Sequence, residues 1–231
     1  MLSVCKKIFV VVGFLSLAVF IAACGTEASK ISDRKQKEPV KVPPAASDKP
    51  KIVAFGDSLT AGFGLTEKES YPYLLQQKLN AEGYNYEVVN AGVSGDTSQG
   101  GLERVEWSLE QGNVEIMILA LGGNDLLRGL SPAQMKRNLS EIIKKAKAKN
   151  VKVLLCGMLA PPTMGEKYQR EFTNAFPDLA DEHEVAFMPF ILEGIALDRR
   201  YNQPDGIHPN AEGARLMTEN IYKSLKPLLE K

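Results

Sequence analysis

A serine hydroxyl becomes a nucleophile only when a base takes its proton, and histidine is the side chain that titrates near neutral pH. The chain holds two histidines. His183 lies in Ala180-Asp181-Glu182-His183-Glu184, a polar helix end that predicts a solvent-facing ring. His208 lies in Pro204-Asp205-Gly206-Ile207-His208-Pro209, with Asp205 three residues before it. That spacing lets the carboxylate meet the far nitrogen of the imidazole and fix its tautomer. The matching hydroxyl is Ser58 in Gly56-Asp57-Ser58-Leu59, a turn directly after the apolar run 51–55. Ser94 is a rival on composition alone, and Asp57 reads as a brace for the turn. Acyl transfer also needs donors aimed at a developing oxyanion. Glycine presents a backbone N–H at close range and tolerates positive φ. Gly95 in Ser94-Gly95-Asp96-Thr97-Ser98 and the amide of Asn124 in Gly122-Gly123-Asn124-Asp125 are the candidates, with the N–H of Ser58. Gly92 competes with Gly95 in the same loop. No histidine, cysteine and carboxylate cluster has metal-ligand spacing, so neither a metal nor another cofactor is expected.

These residues fall at the ends of apolar runs. Strands are predicted at 51–56, 86–90, 114–121, 151–157 and 185–189, and helices near 70–82, 98–111, 132–149, 168–183 and 210–229. Met135, Leu139, Ile142, Ile143 and Ala146 recur at helical spacing, and the lysines at 144, 145, 147 and 149 form a solvated C-terminal face. One N-cap is expected within Asp96, Thr97 and Ser98. Five strands alternating with helices predict an α/β fold: a three-layer, doubly wound parallel sheet with helices on both faces. Ligands in such sheets bind beyond the carboxyl ends of the strands, where Ser58, Gly95 and Asn124 would sit. The loops 125–131 and 160–168 would flank them, with Leu126, Leu127, Met158, Leu159 and Met164 available for an apolar groove or for the core.

The 231 residues include 28 basic and 28 acidic side chains, so no net positive charge points to nucleic acid. Cys156 is expected in the core, inside the run 151–156. Lys6 and Lys7 precede an apolar stretch, 8–23, that is short for a membrane span of about 20 residues. It ends in Ala22-Ala23-Cys24-Gly25, small residues followed by a cysteine. The organisation expected is a signal peptide at 1–23, a lipidated Cys24 with a tether to residue 50, and a folded domain at 51–231. The tether's 26 residues after Cys24 lack aromatic side chains. As a coil they would span roughly 25–30 Å.

Two resemblances join these observations. Ile21-Ala22-Ala23-Cys24 resembles the lipobox of bacterial lipoproteins, which implies export and a membrane anchor on the periplasmic or extracellular face. Gly25 lacks the Asp that resembles an inner-membrane retention signal. Gly-Asp-Ser-Leu at 56–59, the glycine loop, Gly-Gly-Asn-Asp at 122–125 and Asp205-x-x-His208 resemble the four blocks of the GDSL or SGNH hydrolases. Ser94-Gly95-Asp96-Thr97-Ser98-Gln99-x-Gly101-Leu102 is similar to the thioesterase, lysophospholipase and arylesterase branch. The resemblance implies a flavodoxin-like SGNH fold, Ser58 as nucleophile, His208 as base and Asp205 as its orienter. It also implies an oxyanion hole from the N–H groups of Ser58 and Gly95 and the side chain of Asn124. The expected reaction is hydrolysis of acyl esters, thioesters or lysophospholipids. The alternatives are a carbohydrate O-deacetylase with the same site and a silent lipid- or glycan-binding lipoprotein. Oligomeric state is left open.

Overall fold

A computed structural model describes residues 48–230. The expected signal peptide, Cys24 and most of the tether lie outside them. In chain order the elements are β1 (Lys51–Gly56), α1 (Ser58–Ala61), α2 (Tyr71–Ala81), β2 (Glu87–Gly92), α3 (Ser98–Leu109), β3 (Val114–Ala120), α4 (Gly123–Leu127), α5 (Pro132–Ala148), β4 (Lys152–Cys156), α6 (Glu166–His183), β5 (Ala186–Met188) and α7 (Ala211–Leu225). The strands pair in parallel in the order β2-β1-β3-β4-β5. Helices α2 and α7 pack together on one face, and α3, α5 and α6 on the other. This is the expected three-layer α/β arrangement.

Parallel strands covered on both faces need apolar side chains at every position rather than alternate ones. Ile52 to Phe55 in β1 and Ile116 to Ala120 in β3 are accordingly wholly buried. The apolar stripe of α5 faces the core as its spacing predicts, and Ser131 caps that helix. Thr97 caps α3 by accepting the Gly100 N–H at 3.3 Å, and Asn210 caps α7. Helix α6 begins two residues before the expected start, after Gly165, whose φ of 85° suits glycine alone. Strand β2 runs past the expected end to Gly92, since Ala91 and Gly92 still pair with β1.

Cys156 sits in the core, where burial pushes its thiol up to about 12. His183 corrects an expectation. Its ring is buried rather than solvent-facing, and Nε2 bonds the Ser140 hydroxyl of α5 at 2.8 Å. Burial lowers its pKa, keeping the imidazole neutral between the two helices.

Candidate active site

Strand register sets the level of the site. Gly56 at the end of β1 lies opposite Gly92 of β2 and Ala120 of β3. The chain leaves β1 toward β2 and then crosses to β3 on its other side, so β1 is the switch point of the sheet. Just beyond that level come Ser58, Gly95 and Asn124. Asp57 stops β1 and starts α1, its carboxylate accepting the Leu59 N–H at 3.0 Å. Ser58 is therefore the first residue of a short helix, lifted above the sheet edge.

His208 reaches this edge from the loop before α7. Its Nε2 lies 2.8 Å from Ser58 Oγ, and its Nδ1 lies 2.7 Å from Asp205 Oδ2. Nδ1–H donates to the carboxylate, leaving Nε2 to accept from the serine hydroxyl. Asp205 Oδ1 accepts the backbone N–H groups of Ile207 (3.0 Å) and His208 (3.1 Å). Burial alone would raise the pKa of Asp205, but the His208 ring and these two N–H groups outweigh it and hold the carboxyl below its ordinary range. Gln203 ties the loop to the turn after α1: its side-chain amide donates to Phe63 O at 2.7 Å and to Pro209 O at 2.9 Å. The Phe63 ring packs 4.6 Å from that of His208.

The expected donors follow the ends of β2 and β3. Gly95 adopts φ 82°, a left-handed conformation, and lies exposed, with its carbonyl held by Arg128 at 2.7 Å. Asn124 Nδ2 donates to Asp96 O at 2.9 Å and, more weakly, to Asp57 Oδ2 at 3.4 Å. A bond that long is readily exchanged for a stronger acceptor such as an oxyanion. Asp57 itself is almost sealed from solvent, and desolvation raises its pKa from 3.8 to about 6. It braces the turn and does not contact His208 through a hydrogen bond; Asp205 holds that position. A hydroxyl, an imidazole, an orienting carboxylate and polar N–H groups within one crevice are the parts of an acyl-transfer centre.

A family model described as "GDSL-like Lipase/Acylhydrolase family" matches residues 54–216, which include every one of these side chains. The chain belongs to that family. Among its relatives, the Pseudomonas aeruginosa protein named "Esterase TesA" is 42% identical over 178 residues, 77% of this chain and 89% of that protein. The Escherichia coli protein named "Thioesterase 1/protease 1/lysophospholipase L1" is 37% identical over 178 residues, 77% of this chain and 84% of that protein. The crystal structure of TesA superposes with a TM-score of 0.75 at 41% identity, covering 78% of this chain and 99% of that one.

Residue patterns alone pass over several parts of this GDSL-like site. Asp125 is buried and accepts both the N–H (2.8 Å) and the hydroxyl (2.6 Å) of Ser98, tying α4 to the start of α3. Asn138 of α5 donates to the same hydroxyl at 3.0 Å. Arg104 of α3 reaches the ends of both β1 and β2. Its helical spacing from the buried Gly101 and Ser108 was the available signal. Of the residues expected to line a groove, Met158 belongs to the core, whereas Leu127 and Leu159 are exposed.

Proposed function

We propose that the protein is a serine esterase that hydrolyses acyl esters or thioesters through an acyl-enzyme on Ser58. The observation that carries this reading is the unbroken chain of bonds from Asp205 through His208 to Ser58, at 2.7 and 2.8 Å. Ser58 Oγ attacks the acyl carbon while its proton passes to His208 Nε2, and Asp205 stabilises the imidazolium. The N–H groups of Ser58 and Gly95 and the amide of Asn124 receive the oxyanion. Collapse of the tetrahedral centre expels the alcohol or thiol, which takes the proton from His208. Water, deprotonated by the same imidazole, then releases the acid and restores Ser58.

The substrate reading rests on the rim. Exposed apolar side chains lie on the segments that carry the site: Phe63 packs on the His208 ring, Ile207 precedes His208, Val93 bonds Gly56 O through its N–H, and Leu127 and Leu159 follow the ends of β3 and β4 in sequence. Such a rim suits an acyl chain, as in a lysophospholipid, better than an acetylated sugar. The membrane side of the proposal is sequence-borne: export through 1–23 and lipid attachment at Cys24 on the periplasmic or extracellular face.

Ser58→Ala tests the reaction. We expect hydrolysis of a soluble aryl ester to fall to background, with the thermal melt kept, and an organophosphonate ester to label the unsubstituted protein but not the variant. Retained hydrolysis in Ser58→Ala would sink the assignment. A preference for medium-chain over acetyl esters supports the acyl-chain reading, and an acetyl-only preference favours the deacetylase.

A further inference from the structure

Arg104 makes four contacts from α3, with its side chain only 20% exposed. Nη2 donates to Gly56 O at 2.9 Å, Nη1 to Ala91 O at 2.8 Å and Nε to Asp96 Oδ2 at 2.7 Å. The guanidinium also lies over the Phe55 ring, 4.0 Å from its centroid. Two of the groups it holds are themselves junctions. Gly56 O also accepts the Val93 N–H at 3.0 Å, sewing the end of β1 to the glycine loop. Asp96, whose carboxylate Arg104 binds, accepts the Asn124 amide on its backbone carbonyl at 2.9 Å.

Every proposed oxyanion donor therefore stands one short link from this guanidinium. The Ser58 N–H lies two residues beyond Gly56, the Gly95 N–H directly precedes Asp96, and the Asn124 amide hangs on Asp96 O. We infer that Arg104 is the positioning residue of the oxyanion site, fixing the three donors relative to one another without touching substrate. The inference rests on the acyl-enzyme reading above.

The chemistry of the side chain supports this role over simple charge neutralisation. A carboxylate in need of a cation is served by any ammonium. Here one rigid fork serves two strand-end carbonyls and a carboxylate at once, while its plane stacks on an aromatic ring. Lysine, a point charge on a flexible stem, keeps the link to Asp96 and loses the others. A donor displaced by about 1 Å costs on the order of 100-fold in rate, so a small relaxation of either loop is enough to register.

The test is a double-mutant cycle on the purified full-length protein with a soluble aryl ester, using Arg104→Lys, Asn124→Ala and the pair. Asn124→Ala alone should lower kcat by about 100- to 1000-fold, as loss of one oxyanion donor does. Arg104→Lys should lower kcat on the order of 100-fold with KM little changed. Because both act on one oxyanion site, the pair should lose far less than the product of the single losses. Full multiplication of the two losses, or a loss in Arg104→Lys that resides in KM, overturns the inference. Should Arg104→Lys fail to fold, Asp96→Asn removes one link only and enters the same cycle under the same two outcomes. Ser58→Ala runs in parallel. Activity surviving there defeats the serine mechanism itself, whereas a dead Ser58→Ala beside a multiplicative cycle defeats the role of Arg104 alone.

Discussion

Asp57 and Asp205 are carboxylates of one site driven in opposite directions by their surroundings. Asp205 is exposed, bonded to the His208 ring and to two backbone N–H groups, and stays ionised. Asp57 is 2% exposed, and burial outweighs the Leu59 N–H that favours its charged form, so its pKa rises to about 6. Separation of this kind assigns roles: Asp205 is suited to orient a base, and Asp57 to hold the turn. It also has a thermodynamic sign. An unfolded chain returns Asp57 to 3.8, so folding favours its protonated form. That contribution is fully present below about pH 4 and is lost as pH rises through about 6, a span worth about 3 kcal/mol. Asp57→Asn cannot titrate. Urea unfolding should therefore show the stability of the unsubstituted protein, relative to Asp57→Asn, falling by up to about 3 kcal/mol from pH 4 to pH 7. Parallel stability profiles for the two proteins would show that Asp57 is not the buried acid inferred here.

The elements explain why some of this was readable from residue patterns and some was not. The unbroken apolar runs of β1 and β3 and the helically spaced apolar stripe of α5 are strong patterns, and the structure follows them. Helices α1 and α4 span four and five residues, too short for any periodicity, yet they begin at the turns that hold Ser58 and Asn124. His183 was misread because its neighbours Asp181, Glu182 and Glu184 are charged. The better guide was spacing: it stands three and four residues beyond Ala180 and Leu179, on the buried face of α6. Gly92 shows a glycine required by packing. A Cβ there would lie 2.2 Å from Ala61 N, inside the helix that starts at Ser58. Gly92→Ala must push β2 and α1 apart, and overpacking of this kind costs about 1–3 kcal/mol. Chemical denaturation should detect that loss, and kcat should fall with it because α1 carries Ser58. An unchanged midpoint and rate would mean that the contact relaxes freely and that α1 is not wedged on β2.

At the scale of the molecule, the described chain enters the fold at one end of β1 and Ser58 stands beyond the other. Asp48 O accepts the Asn113 side-chain amide at 3.3 Å, and Lys51 N donates to Asn113 O at 2.8 Å, so the fold is entered beside the start of β3. Ser58 stands past the far end of β1, whose six residues cover about 20 Å. The proposed anchor and the reaction at Ser58 can therefore be tested apart. Cys24→Ser removes the thiol to which lipid would attach and leaves every residue of the fold intact. Expressed in a bacterium with its own leader, this variant should move from the membrane pellet to the soluble fraction. Its kcat and KM on a soluble aryl ester should match those of the anchored protein. Hydrolysis of a lysophospholipid embedded in the host membrane should drop, since the enzyme is no longer held at that surface. Retention of Cys24→Ser in the pellet would remove the lipid anchor from the proposal while leaving the Asp205-His208-Ser58 chain untouched. A fall in the soluble-ester rate would instead show that the N-terminal segment acts on the reaction itself.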